Sequence, residues 1–215
     1  MLNLVKADKP DILVLNAFNW TREAMHFHYI GLPIPDTIMG RYGHKQIKAA
    51  LISETHGKCA YCESHITAIY PGDIEHILPK SKYPRWAFYW SNLTLACSIC
   101  NNSKSDYASK SMPLLNPYKD NIEEHILAAG PYLVHKNSSR VGEFTIKKLK
   151  LERPQLREKR RESIESFQNM LDKYNREYDN DLKDILKDEL IEMLSNDKEY
   201  SFTLQSYAKA QSFTF

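Results

Sequence analysis

The chain has 215 residues, 42% of them hydrophobic and 26% charged, with a net charge of only +2. That length supports one good core and a small second lobe. The charge balance excludes a uniformly basic coat, so a surface for phosphates has to gather its cations locally. No apolar run approaches the roughly 18 residues of a membrane span. The N-terminal stretch is interrupted by Lys6, Asp8, Lys9, Pro10 and Asp11, unlike the apolar core of a secretory signal. A cytoplasmic location with reduced thiols is therefore expected.

In chain order, NWTREAMHFHYI reads as a helix beginning at an Asn19 or Thr21 cap, and GLPIPDT as a proline-broken loop. His26 and His28 have no third ligand nearby and read as packing or surface residues. Ile47, Ala50, Leu51 and Glu54 recur at helical spacing, and Gly57 is placed to end that helix.

All four cysteines then fall in two C-x-x-C pairs, Cys59/Cys62 and Cys97/Cys100. Two thiolates on a tight turn reach one Zn²⁺ at ~2.3 Å, and a second pair closes a tetrahedron with no open position for water. The metal expected here is structural zinc. Two disulfides, four unrelated buried cysteines or a redox dithiol are the alternatives, and without a secretory signal the spacing favours metal.

Between the pairs lie Glu75 and His76 in DIEHILPKS and Asn92 in WSNLTLAC; Asn101 and Lys104 follow in CSICNNSK. The stretch PKSKYPRWAFYW interleaves Lys80, Lys82 and Arg85 with aromatic residues. Such a mixture either contacts phosphates and bases or packs a hairpin onto its neighbours; Trp90 reads as core.

Downstream, SMPLLNPYKDNIEEHILAAG reads as an irregular connection with a short helix or strand, and PYLVHKNSSRVGEFTIKKLKL as a hairpin turning near Asn137, Ser138, Ser139 and Gly142. Pro154 opens a helix with apolar positions at Leu156, Ile164, Phe167 and Leu171 and a basic run that includes Arg157, Lys159, Arg160 and Arg161. That run is either a solvated face or a nucleic-acid contact. An acidic amphipathic helix follows in DLKDILKDELIEMLSND, and the tail SFTLQSYAKAQSFTF reads as loosely ordered.

The central stretch resembles the HNH endonuclease family. Asn92 follows His76 by sixteen positions, Asn101 follows Asn92 by nine, and Lys104 completes the common C-N-x-x-K ending. The resemblance implies a ββα-metal fold in which His76 ends the first strand and serves as general base. Glu75 and Asn101 would hold Mg²⁺ or Mn²⁺, and Asn92 would keep the loop and the histidine ring in place. Lys104 would be a phosphate contact. Glu75 stands where many members have aspartate, which leaves Asp73 as a rival ligand. Asn101 replaces the last histidine of the motif, and its neutral carbonyl oxygen suits hard cations.

The downstream order is similar to small HNH proteins that partner an ABC- or SMC-like ATPase in anti-phage systems of the Septu and retron type. That similarity implies an effector directed by the ATPase, with residues 181 to 196 as one docking surface. The chain is thus expected to be α+β, mainly helical with an embedded ββα-metal motif stapled by zinc. Residues 1–56 would form a helical region, 57–112 the nuclease core, and 113–215 a hairpin with helices. The expected activity is phosphodiester hydrolysis, with DNA favoured over RNA. A non-catalytic zinc module that binds nucleic acid or protein is the competing reading, and no helix-turn-helix supplies sequence recognition.

Overall fold

The computed structural model describes residues 1–67 and 70–214. Pro10 opens the first helix, α1 (Asp11–Tyr29), whose leading carboxylate Asp11 lies at the positive end of the helix dipole. The expected start at Asn19 or Thr21 is corrected by eight or more residues. Leu13, Ala17 and Ala24 form its buried stripe, which begins before those candidate caps. A short α2 (Asp36–Met39) leads to α3 (Lys45–Glu54), capped by His44 and buried through Ile47 and Leu51. Gly57 takes φ +70°, and a side chain there would collide with the Thr67 hydroxyl at 2.5 Å.

Next come β1 (Asp73–His76), β2 (Leu93–Ala96) and α4 (Ser98–Lys104). The strands are antiparallel, with Glu75 opposite Thr94 and His76 opposite Leu93. This is the expected ββα unit, and β1 does end on His76. Lys6 lies 3.7 Å from the centroid of the buried Trp90 ring, whose Nε1 donates to the Ala7 carbonyl at 2.7 Å.

The α5 turn (Ile122–His125) runs directly into β3 (Ile126–Ala129), which pairs with β4 (Tyr132–His135). The hairpin therefore turns at Gly130, φ +58°, and not at residues 137–142. Ser139 instead caps α6 (Arg140–Lys148) by accepting from the Gly142 amide at 3.1 Å. The same serine that reads as a turn residue is also a favoured cap, and here the cap prevails.

Three helices complete the chain: α7 (Pro154–Arg176), α8 (Asn180–Met193) and α9 (Ser201–Ala210). Ile164, Phe167, Leu171, Leu190, Leu194, Leu204, Ala208 and Phe213 form their common core. The tail is thus ordered rather than loose: α9 buries Phe202, Leu204 and Ala208. A larger core contains side chains from Met1 to Leu156 together with Tyr200 and Phe202. The architecture is α+β, and no helix among the described residues is long and apolar enough to cross a membrane.

Candidate active site and metal centre

The first cysteine pair is presented by a turn in which the Glu63 amide donates to the Cys59 carbonyl at 2.9 Å. The Ala60 amide joins that turn to the Leu95 carbonyl of β2. The second pair opens α4, where the Cys97 sulfur accepts from the Cys100 amide at 3.4 Å. All four buried sulfurs lie within 4.8 Å of one another, with Cys62 and Cys97 3.8 Å apart. A tetrahedron with ~2.3 Å arms has edges of about 3.8 Å, so the cluster has the dimensions of a Zn²⁺ site. A disulfide needs ~2.05 Å, and all four cysteines are free.

Burial pushes the Cys59 thiol up, while hydrogen bonds from Cys100, Cys59 and Cys97 pull the Cys62 thiol down. Four sulfurs competing for protons in one buried space are the donor set that a divalent thiophilic ion neutralises. A cation from the C-terminal half also faces them. Arg153 places its guanidinium 3.5 Å from Cys62, 3.7 Å from Cys100 and 3.9 Å from Cys97. Burial opposes its charge, but the Cys62 and Cys100 sulfurs more than compensate and hold it charged.

Beside this centre, a cavity of about 270 Å³ is lined by Glu75, His76, Lys80, Asn101 and Lys104, among others. His76 is 4% exposed, and its Nε2 lies 3.0 Å from the Ala87 carbonyl. A carbonyl only accepts, so Nε2 carries the proton and Nδ1 keeps the lone pair. Burial lowers the His76 pKa to about 4, which keeps the ring neutral near pH 7. Tyr42 packs edge-on against that ring at 4.5 Å.

The Asn92 side chain makes its hydrogen bonds to the loop that meets His76 and none to the imidazole. Its Oδ1 accepts from the Leu78 amide at 2.7 Å, and its Nδ2 donates to the Leu78 and Trp86 carbonyls, each at 3.0 Å. The next residue, Ala87, supplies the carbonyl that orients the imidazole.

Glu75 is engaged by Lys104, whose ammonium lies 2.6 Å from Oε1 and donates to the His76 carbonyl at 2.7 Å. Burial raises the Glu75 pKa, with Lys104 working against it. Asn101 donates through Nδ2 to Asp73 at 2.9 Å, so its carbonyl oxygen is the amide atom left to accept. Asp73 and Glu75 are two apart on β1 and share a strand face. One carboxylate and one amide oxygen at a cavity are a modest donor set of the kind Mg²⁺ uses, since that ion keeps several waters. Among the described residues, the four cysteines form the only cluster of three or more acidic, histidine or cysteine donors within that radius.

The expected nucleic-acid contacts separate into accessible and inaccessible groups. Lys80 bonds the Tyr42 hydroxyl at 3.0 Å, Lys82 pairs with Asp106 at 3.3 Å, and Arg85 is exposed. Lys104 is 2% exposed and reaches the cavity only as the partner of Glu75. Arg157 lies 5.7 Å from the Tyr132 ring, and Arg161 is exposed and pairs with Glu158. Arg160 corrects the expectation: it is 2% exposed, paired with Glu152 at 2.8 Å and bonded to the Leu151 carbonyl at 2.8 Å. It belongs to the interior, not to a nucleic-acid face. Tyr42 and Arg153 were not legible as site residues, because each reaches its partner across at least thirty positions of chain.

Comparison with known proteins agrees with this geometry. Residues 59–107 match the HNH endonuclease family model. Septu protein PtuB of Bacillus thuringiensis is 38% identical over 87 residues, covering 40% of this chain and 34% of that protein. Septu protein PtuB of Bacillus mycoides (strain KBAB4) is 31% identical over 150 residues, covering 55% of this chain and 51% of that protein. The matches thus span about a third and about half of these curated relatives. Residues 59–107 are thus similar to the HNH endonuclease family, and the chain is similar, over part of its length, to Septu protein PtuB.

Proposed function

We propose that this protein is a metal-dependent nuclease that hydrolyses phosphodiester bonds, with DNA as the favoured substrate. Residues 57–112 form its nuclease core, residues 1–56 the helical support, and residues 113–215 the region that positions and regulates it. The observation that carries the reading is a carbonyl-anchored His76 in one cavity with Glu75 and Asn101. His76 Nδ1 takes the proton of the attacking water as general base. The Ala87 carbonyl holds the ring through Nε2, and Asn92 holds the loop that carries Ala87. Glu75 and Asn101 would provide the oxygen ligands for Mg²⁺ or Mn²⁺, with Asp73 orienting the Asn101 amide. A cation bound there would supply Lewis-acid stabilisation of the negative charge that develops on the phosphate. Lys104 opposes the upward push of burial on the Glu75 carboxyl, and Lys80 lies at the cavity wall as a phosphate contact.

We further propose a role in anti-phage defence under an ABC- or SMC-like ATPase, on the similarity to the Septu proteins. A docking surface on α8 fits this role, because Leu182 and Ile185 are exposed about one turn apart on an otherwise acidic helix. The helix also contributes Leu190 to the core, so substitution is a better probe than deletion. Leu182→Glu/Ile185→Glu abolishes co-purification with the ATPase if α8 docks it, and leaves it intact otherwise.

The activity is tested by incubating the protein with plasmid, single-stranded DNA and total RNA, with Mg²⁺, Mn²⁺ or chelator, alone and with the ATPase. Cleavage that needs the divalent ion and falls mainly on DNA supports the proposal. Nucleic-acid binding without cleavage in every mixture favours the non-catalytic zinc module.

A further inference from the structure

A groove of about 580 Å³ lies between α1 and the segment 84–92, with Lys9, Phe18, Thr21 and Arg22 on one wall and Arg85 and Tyr89 on the other. Three of its lining residues are cationic and none is acidic. None of the three makes an ion pair among the described residues. On a chain whose net charge is +2, this is the local gathering of positive charge that a polyanion requires. The groove also offers rings. Phe18 is 76% exposed and Tyr89 is 43% exposed, and Tyr89 is braced edge-on by Trp86 at 4.5 Å. The buried Thr21 hydroxyl has no hydrogen-bond partner among the described residues.

The wall is fixed relative to the candidate active site. Ala87, two residues beyond Arg85, accepts from His76, and Trp86 accepts from Asn92. Two peptide steps span at most about 7 Å, so Arg85 leaves the chain close to the residue that orients the imidazole.

The geometry points to a binding track for an unpaired nucleic-acid strand, with bases stacked on Phe18 and Tyr89 and phosphates held by Arg22 and Arg85. Paired bases present no open face to a side-chain ring, whereas unpaired ones stack on aromatics and run along a cationic groove. The inference rests on the nuclease reading for its placement beside a scissile bond, but binding itself needs no cleavage.

Fluorescence anisotropy on a His76→Ala background, with labelled oligothymidylate or oligouridylate of about twenty nucleotides and a duplex of equal length, tests the track. Phe18→Ala/Tyr89→Ala should weaken single-strand binding on the order of tenfold without altering its salt dependence. Arg22→Gln/Arg85→Gln should reduce the slope of log affinity against log salt by about 1.4, the loss of two phosphate contacts to a single strand. Both exchanges are at exposed side chains, and circular dichroism reports whether the fold is retained. Unchanged single-strand binding in folded variants overturns the track. So does a loss confined to the duplex, or a loss confined to association with a protein partner. Cleavage by the His76-containing protein is scored separately. Cleavage with unaltered groove-variant binding sinks the track alone, and altered groove-variant binding without any cleavage sinks the nuclease reading alone.

Discussion

The ammonium of Lys104 lies 2.6 Å from the Glu75 carboxylate, with both side chains almost completely withdrawn from water. Two charges are tolerable there because each neutralises the other and the His76 carbonyl accepts a further hydrogen bond from Lys104. Lys104→Met leaves an unpaired carboxylate in the interior and should cost about 3–5 kcal/mol in urea unfolding. Lys104→Met/Glu75→Gln should recover most of that loss. Near-native stability of the single variant would show that Glu75 is not held by this pair.

A four-cysteine cluster with the dimensions of a zinc site predicts a coupled behaviour of metal and fold. One Zn²⁺ per chain is expected by elemental analysis, and Cys97→Ser should lose both the ion and the packed ββα unit, since metal binding is folding energy in such sites. Arg153→Gln should speed zinc transfer to a chromogenic chelator on the order of tenfold, by removing the cation that faces three sulfurs. Unchanged transfer would make Arg153 a spectator.

Arg160 offers a test of burial against charge. With its head group on the partly exposed Glu152 and the Leu151 carbonyl, Arg160→Met should destabilise the fold by about 1.5–3 kcal/mol. Residual folded protein should bind nucleic acid with an unchanged salt slope. A slope lowered by a full contact would return Arg160 to the nucleic-acid face.

His76 should carry no charge at pH 6. Burial disfavours the imidazolium and brings its pKa down to about 4, so the neutral ring persists well below the ordinary histidine range. Conversely, stability linked to this ring is lost as pH falls from about 6.5 toward 4, where the unfolded chain binds a proton that the native one does not. Ring resonances in magnesium-free buffer report the charge directly, and an imidazolium at pH 6 would contradict the assignment.

Much of this was legible in sequence because the chemistry is local. The cysteine pairs were legible from their own spacing, while the meeting of Glu75, His76 and Asn101 was what the resemblance to the HNH family implied for adjacent elements of one small motif. Arg160 was legible in principle: Leu156, Arg160 and Ile164 are four apart, which puts the arginine on the buried stripe of α7. Its charge concealed its position. The turn at Gly130 was obscured by the serines that cap α6, since caps and turns draw on the same residues. The order of α9 depends on burial against α7 and α8, which polar neighbours such as Ser201, Thr203 and Gln205 hide from a local reading. Arg153 meets its sulfurs only in three dimensions.

The most direct measurement is single-turnover cleavage by His76→Ala against the parent protein, each verified to be folded and zinc-loaded, in Mg²⁺ and with any required ATPase present. Loss of a general base predicts a rate lower by about 10²–10⁴-fold with zinc content unchanged. Cleavage within a few-fold of the parent would contradict the assignment of His76 and, with it, the catalytic account of the cavity.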